Sequence, residues 1–397
     1  MNRSANAQES LLTRNFILVC MVGITSFGGV SLLVPTLPFY VIEIGGTTAD
    51  IGFVVAVFAA VSILIRPFAG RASDIYGSKL IMLVGGLVTL VSSALYLWPV
   101  EIPVFSAVRA FHGIGLSILS TGAFAYMADV APPYRRGEAM GLFGMSMSLS
   151  FAVGPLFGSV IQSNFGFTPL FLFLVLSSLI ALLFAYLAAP TARAGSQGVP
   201  SLSLGALINK EALIPGILLF CMATSFAPMA TLLPLFAKER SLGDPGVYFF
   251  VQACSIFGSR WWAGSLSDKY GRMAVIVPSL LLVAVGEAVL GLSLFTWIFL
   301  TAAAIHGAGV GALQPTVLAL AIDRADERSR GAAMATVNIF LDFGFAIGSL
   351  AMGNLAPYTG IAPLYLSETG VVLFGMFVFV MFMRREKRSQ VEAVVPR

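Results

Sequence analysis

GRASDIYGSK, residues 70–79, and GSLSDKYGRM, residues 264–273, place a glycine, a Ser-Asp pair and a Tyr-Gly pair at the same offsets, 194 residues apart. Each interrupts long apolar runs in a chain that otherwise avoids charge. The 397 residues are 58% hydrophobic and only 11% charged, with a mean hydropathy of +0.91. Soluble domains carry about 25% charged residues, so this composition describes a membrane protein.

The 194-residue shift holds without a gap from about residue 50 to 158. Arg66-x-x-Ala69-Gly70 falls on Arg260-x-x-Ala263-Gly264, and His112-Gly113-x-Gly115 falls on His306-Gly307-x-Gly309. Asp129 meets Asp323, Arg136-Gly137-x-Ala139-Met140 meets Arg330-Gly331-x-Ala333-Met334, and Phe151-Ala152-Val153-Gly154 meets Phe345-Ala346-Ile347-Gly348. Apolar segments match by chance at apolar positions, but they do not align rare Asp, Arg, His and Gly. The chain is a duplication.

Runs of about twenty apolar residues predict twelve transmembrane helices: 16–41, 48–68, 79–98, 103–129, 138–161, 168–188, 212–236, 245–263, 274–293, 297–323, 331–354 and 367–384. The first is too long for a signal-peptide core and lacks a cleavage site, so it reads as retained. Six helices per copy is an even number, so both copies enter from the same side and are related by an axis along the membrane normal. The expected division is an N-terminal bundle 1–188, a Pro/Gly/Ser/Ala-rich linker 189–211 and a C-terminal bundle 212–397. With the N-terminus inside, most of the 23 basic residues lie on the cytoplasmic side, as the positive-inside rule requires. Both termini are then cytoplasmic, in the inner (plasma) membrane, and the net charge of +4 needs no nucleic-acid partner. Cys20, Cys221 and Cys254 all fall within predicted helices, with no disulfide or metal spacing. No cofactor is implied.

On these motifs the chain resembles the major facilitator superfamily over nearly its whole length. The family signature between the second and third helices, G-x-x-x-D-[RK]-x-G-[RK]-[RK], matches Gly70, Asp74 and Gly77, then more fully Gly264, Asp268, Lys269, Gly271 and Arg272. The resemblance implies an all-α fold of twelve transmembrane helices in two pseudo-symmetric six-helix bundles. It also implies that the signature Asp latches the halves together on the cytoplasmic side and that the ninth-position base joins an Asp ending the fourth helix. Those positions are Asp74, Ser78 and Asp129 in the first copy and Asp268, Arg272 and Asp323 in the second. The first copy lacks its base. Lys79 stands one position on, where a helical side chain is turned by about 100°.

Ionisable groups within spanning helices cost roughly 2.5–3.5 kcal/mol on insertion scales and are functional candidates by default. Here they are Arg109, His112, Glu287, His306 and Asp342; Arg66 and Arg260 lie near helix ends and can snorkel. Arg109-x-x-His112-Gly113-x-Gly115 resembles the family's fourth-helix pattern R-x-x-Q-G-x-G, whose Arg is implicated in proton coupling. His112 reads as a coupling group or, since the repeat also holds His306, as a packing feature. Asp342 interrupts the apolar run NIFLDFGFAIG and is the expected proton carrier. Glu287 falls in the ninth helix, which the family places at the periphery. The first helix carries no acid, a departure from several drug antiporters.

The fifth span contains Gly141-x8-Ser150-x3-Gly154-Pro155-x-x-Gly158, resembling the family's antiporter pattern. Its proline removes a backbone hydrogen bond and its glycines permit close helix contact. The resemblance places helices 1, 4, 7 and 10 around a central cavity, with Phe27, Met222, Phe226, Met229 and Gln314 as lining candidates. The expected function is proton-driven export of small amphiphilic molecules or drugs by a monomer in the lipid bilayer, with protons and the substrate as its ligands. A dedicated exporter of a sugar, siderophore or metallophore is the alternative, then a nutrient symporter. No P-loop sequence is present to supply ATP drive, and no nucleophile and base occur together outside the loops, so no enzyme activity is expected.

Overall fold

The computed structural model describes residues 12–98, 101–132, 135–190, 209–325 and 330–394, with the side chains of 136–137, 330–332, 335 and 387–394 left out. Among the described residues every regular element is helical. In chain order these are α1 (Arg14–Leu32), α2 (Leu37–Glu43), α3 (Thr48–Tyr76), α4 (Ser78–Leu95), α5 (Ile102–Val130), α6 (Arg136–Phe165), α7 (Phe167–Leu187), α8 (Leu213–Glu239), α9 (Pro245–Tyr270), α10 (Arg272–Gly291), α11 (Thr296–Arg324), α12 (Arg330–Thr359) and α13 (Ile361–Val394). A short 3-10 turn, Lys210–Ala212, precedes α8. Helices satisfy every backbone donor and acceptor internally, which hydrocarbon demands.

Twelve of these helices have eighteen residues or more, and eleven are also apolar enough to cross a membrane. The exception is α9. It forms where the eighth span is predicted, but Gln252, Arg260 and its neighbouring tryptophans dilute its apolar character. The first predicted span, 16–41, is not one helix: α1 stops at Leu32, a turn follows, and α2 begins with Pro38 in its first turn. Pro35 and Pro38 explain the break, because neither ring supplies a backbone N–H.

The chain divides into two compact units, residues 1–50 with 57–201, and residues 51–56 with 202–397. Most of the predicted linker 189–211 lies outside the described residues. In the first unit Phe16, Val19, Met82, Leu119, Tyr126 and Phe143 belong to one core, and in the second Leu219, Ile276, Leu280, Leu313, Val317 and Phe379 do.

Repeat symmetry is visible in the backbone. Gly77 at φ 91° and Gly271 at φ 87° each end one helix and open the next. This is left-handed territory where a Cβ is strained, so the signature's second glycine is set by the turn. Gly166 at φ 83° and Gly360 at φ 76° do the same before α7 and α13, carrying the 194-residue register beyond position 158.

Candidate functional site

His112 on α5 and His306 on α11 occupy equivalent three-helix junctions, one in each unit. A Cβ on Gly113 would meet Phe58 O on α3 at 2.8 Å, and one on Gly115 would meet Thr89 N on α4 at 2.6 Å. Their partners Gly307 and Gly309 press on Gln252 of α9 and on Ser279 and Val283 of α10. Position 252 is 58 plus 194, and 283 is 89 plus 194. The H-G-x-G motif therefore brings three helices together and buries the histidine where they meet, both rings being fully covered.

In the first unit Arg109 is 5% exposed. Its guanidinium lies 4.3 Å from the Phe58 ring centroid, and Nη1 donates to the Tyr96 hydroxyl at 3.2 Å. That hydroxyl is also 3.1 Å from His112 Nδ1. Accepting from Arg109 leaves the hydroxyl's own proton available to His112, an arrangement with the imidazole proton on Nε2. No carboxylate pairs with Arg109 among the described residues.

In the second unit Gln252 Nε2 lies 2.9 Å from His306 Nδ1 and 3.2 Å from Met229 Sδ. Both neighbours accept, so the imidazole proton is again on Nε2. Here it faces an acid, with Glu287 Oε1 3.4 Å away. Glu287 on α10 is 0% exposed, and neither of its oxygens has a hydrogen bond among the described residues. A second buried acid, Glu368 on α13, is 1% exposed and stands beside the Thr224 hydroxyl of α8.

The two signature loops differ. In the second copy Arg272 joins three groups: Nε to Asp323 Oδ2 at 2.7 Å, Nη1 to Asp268 Oδ1 at 2.6 Å and to Ser267 Oγ at 2.8 Å. In the first copy Ser78 Oγ donates to Asp129 Oδ2 at 2.6 Å. Lys79 does not replace the lost base; its Nζ reaches Tyr186 O at 3.0 Å and lies 5.8 Å from that ring. The 100° step per residue carries it to α7 instead. Asp74 is exposed and has no polar partner among the described residues. Gly70 and Gly264 meet no close neighbour, the nearest atom to a Cβ on Gly70 being 4.0 Å away.

On α6 the positions of Gly154 and Gly158 would drive a Cβ into Ser31 and into Leu32 O of α1. Ser31 Oγ and Ser150 Oγ cross-link the same pair of helices, to Ser150 O and Ile24 O, each at 2.9 Å. Pro155 lies inside the helix. Among the lining candidates, Phe27, Phe226 and Gln314 are half-buried. Phe226 is 6.3 Å from the His306 ring, and Gln314 Oε1 accepts from Arg260 Nη2 at 2.8 Å. Met222 belongs to the core of the second unit and Met229 supports Gln252, so both are packed and neither lines open space in this conformation. Asp342 is half-buried midway along α12.

The sequence profile described as Major Facilitator Superfamily matches residues 19–262 and 246–395. The chain belongs to the major facilitator superfamily. It is a multi-pass membrane transporter of small molecules. Relatives in the superfamily include the uncharacterized MFS-type transporter YhhS of Escherichia coli K12, 24% identical over 376 residues that span 92% of each chain. The quinolone resistance protein NorA of Staphylococcus aureus is 24% identical over 394 residues, 98% of this chain and 99% of NorA. A POT family transporter superposes with a TM-score of 0.80 at 14% identity, covering 94% of this chain and 96% of the other. The nucleoside transporter NupG superposes at 0.75 and 13%, covering 92% and 99%.

Within this superfamily fold, Tyr96, Gln252 and Glu368 escape a reading of the sequence. Tyr96 and Gln252 are ordinary polar residues until the helices pack. Glu368 was legible in principle: hydropathy starts the last span at 367, whereas α13 starts at Ile361, about 10 Å earlier along the axis. The acid is therefore not at a helix end.

Proposed function

We propose that this transporter is a proton-driven exporter, moving small amphiphilic molecules out of the cytoplasm by alternating access. The observation that carries the reading is the Glu287–His306 contact of 3.4 Å, sealed in spanning helices. Among the described residues no lysine or arginine pairs with this carboxyl, so a proton is the counter-charge at hand. The cost of an ionisable group in hydrocarbon argues that it is kept for function. Helix α6, with Pro155 in its interior and close packing on α1, supports the antiporter class, and the quinolone resistance named for NorA supports outward transport of drug-like amphiphiles. Arg109 favours one second reading, export of an anionic metabolite, since its buried guanidinium lacks a carboxylate.

Purified transporter in proteoliposomes, given a pH gradient of either sign and a panel of lipophilic cations, sugars and metallophores, tests both readings. Uphill flux of an amphiphile that reverses with the gradient and stops with a protonophore is expected. Flux indifferent to the gradient sinks proton drive, and accumulation of anions alone favours the second reading.

A further inference from the structure

Glu287 and Glu368 stand on adjoining helices, α10 and α13, inside the second bundle. Their helices are joined where Thr369 Oγ1 donates to Ala284 O at 3.3 Å and where a Cβ on Gly291 would meet Ala362 O at 3.0 Å. Four helices around the two acids contribute a nearby group: His306 from α11, Tyr248 from α9, Tyr365 from α13, and Thr224 with Cys221 from α8. No lysine or arginine is among them.

The neighbours' protons are mostly committed elsewhere. Tyr365 donates to Pro228 O at 3.5 Å, and Tyr248 points at Met229 Sδ at 3.8 Å. Thr224 donates to Cys221 O at 2.9 Å and also stands in hydrogen-bond contact with Glu368. Gln252 holds His306 Nδ1, and Nε2 on the other side of the ring lies 3.4 Å from Glu287 Oε1 without hydrogen-bonding to it. Both Glu287 oxygens and Glu368 Oε2 are buried without a hydrogen bond among the described residues, so a proton held by the pair would serve atoms that no neighbour satisfies.

Packing does not require acids at these places. Subtracting 194 from 287 and 368 gives Ser93 and Leu174. Ser93 Oγ is 2.8 Å from Ser178 Oγ, and Leu174 is buried. The first bundle closes the same junction with a hydroxyl pair and a leucine.

We propose that Glu287 and Glu368 form a single proton-binding pair that takes up and releases the driving proton, with His306 as the positioning residue for Glu287. The assignment rests on the proton-driven reading above. On loading, a proton from one side of the membrane bonds to a carboxylate oxygen of the pair; on release it leaves to the other side. His306 keeps its own Nε2 proton throughout.

The test uses the full chain in lipid vesicles. Infrared spectra across a pH series follow the C=O band of buried carboxyls in wild type, E287Q, E368Q and H306Q, with monodispersity confirming the fold. Ethidium serves as the probe for uphill efflux. Each glutamine variant is expected to lose part of the band, to move the titration midpoint of the remaining acid, and to lose uphill efflux at least tenfold while downhill flux persists. H306Q is expected to move the Glu287 midpoint. Two acids that titrate independently, no titration at either position, or undiminished uphill efflux in both variants overturns the proposal. Wild-type efflux that ignores the gradient removes the driving role together with the reading it rests on, and a coupled infrared titration then still upholds the proton-binding pair.

Discussion

Single residues decide how alike the two halves are. Position 78 holds serine where position 272 holds arginine, and the difference reorganises the surrounding contacts: Asp129 receives one hydroxyl, while Arg272 gathers Asp268, Asp323 and Ser267. Exposed ion pairs are individually weak, and networks on a forked guanidinium are the exception. Asp268→Asn is therefore expected to slow transport at least as much as Asp74→Asn, because only Asp268 has a charged partner to lose. Initial rates in vesicles at matched protein levels decide it, and a larger loss in Asp74→Asn would refute the ordering. The histidines show the limit of residue-level reading. Both were visible as embedded polar groups, but the opposite natures of their surroundings, Arg109 with Tyr96 against Gln252 with Glu287, depend on neighbours from other helices.

At the scale of elements, glycine spacing determines which helix faces touch. Gly158 meets the α1 backbone at Leu32, whereas a Cβ on Gly144 of the same helix meets nothing within 4 Å. Gly158→Leu must push two backbones apart, beyond the ~1–3 kcal/mol of ordinary overpacking. Gly144→Ala is expected to be neutral or to gain up to about 1 kcal/mol from helix propensity. Thermal unfolding of the detergent-solubilised transporter compares them, and equal midpoints would show that the α1–α6 contact tolerates separation. Proline placement was readable too, yet its consequence in the first span was not. Hydropathy averages across Pro35 and Pro38 and sees one apolar run, while the backbone stops at Leu32 and restarts at Leu37.

For the whole molecule, the inside-positive charge pattern predicts that residue 101 faces outward and residue 196 inward. In a background with Cys20, Cys221 and Cys254 replaced by serine, Glu101→Cys is expected to react with an impermeant maleimide in intact cells. Ser196→Cys is expected to react only after lysis, and the reverse pattern would invert the topology. The sequence by itself determined the membrane class, the helical repeat and the superfamily. Those follow from local quantities: apolar run length, the positive φ that a turn demands of Gly77 and Gly271, and rare residues recurring at 194. Only the tertiary structure decided which polar groups share a buried junction. Glu287, Glu368 and His306 are brought together from three helices, and α8 and α9 supply the surrounding donors and acceptors. No sequence separation encodes that meeting, because it arises from the side-by-side packing of helices around glycine contacts.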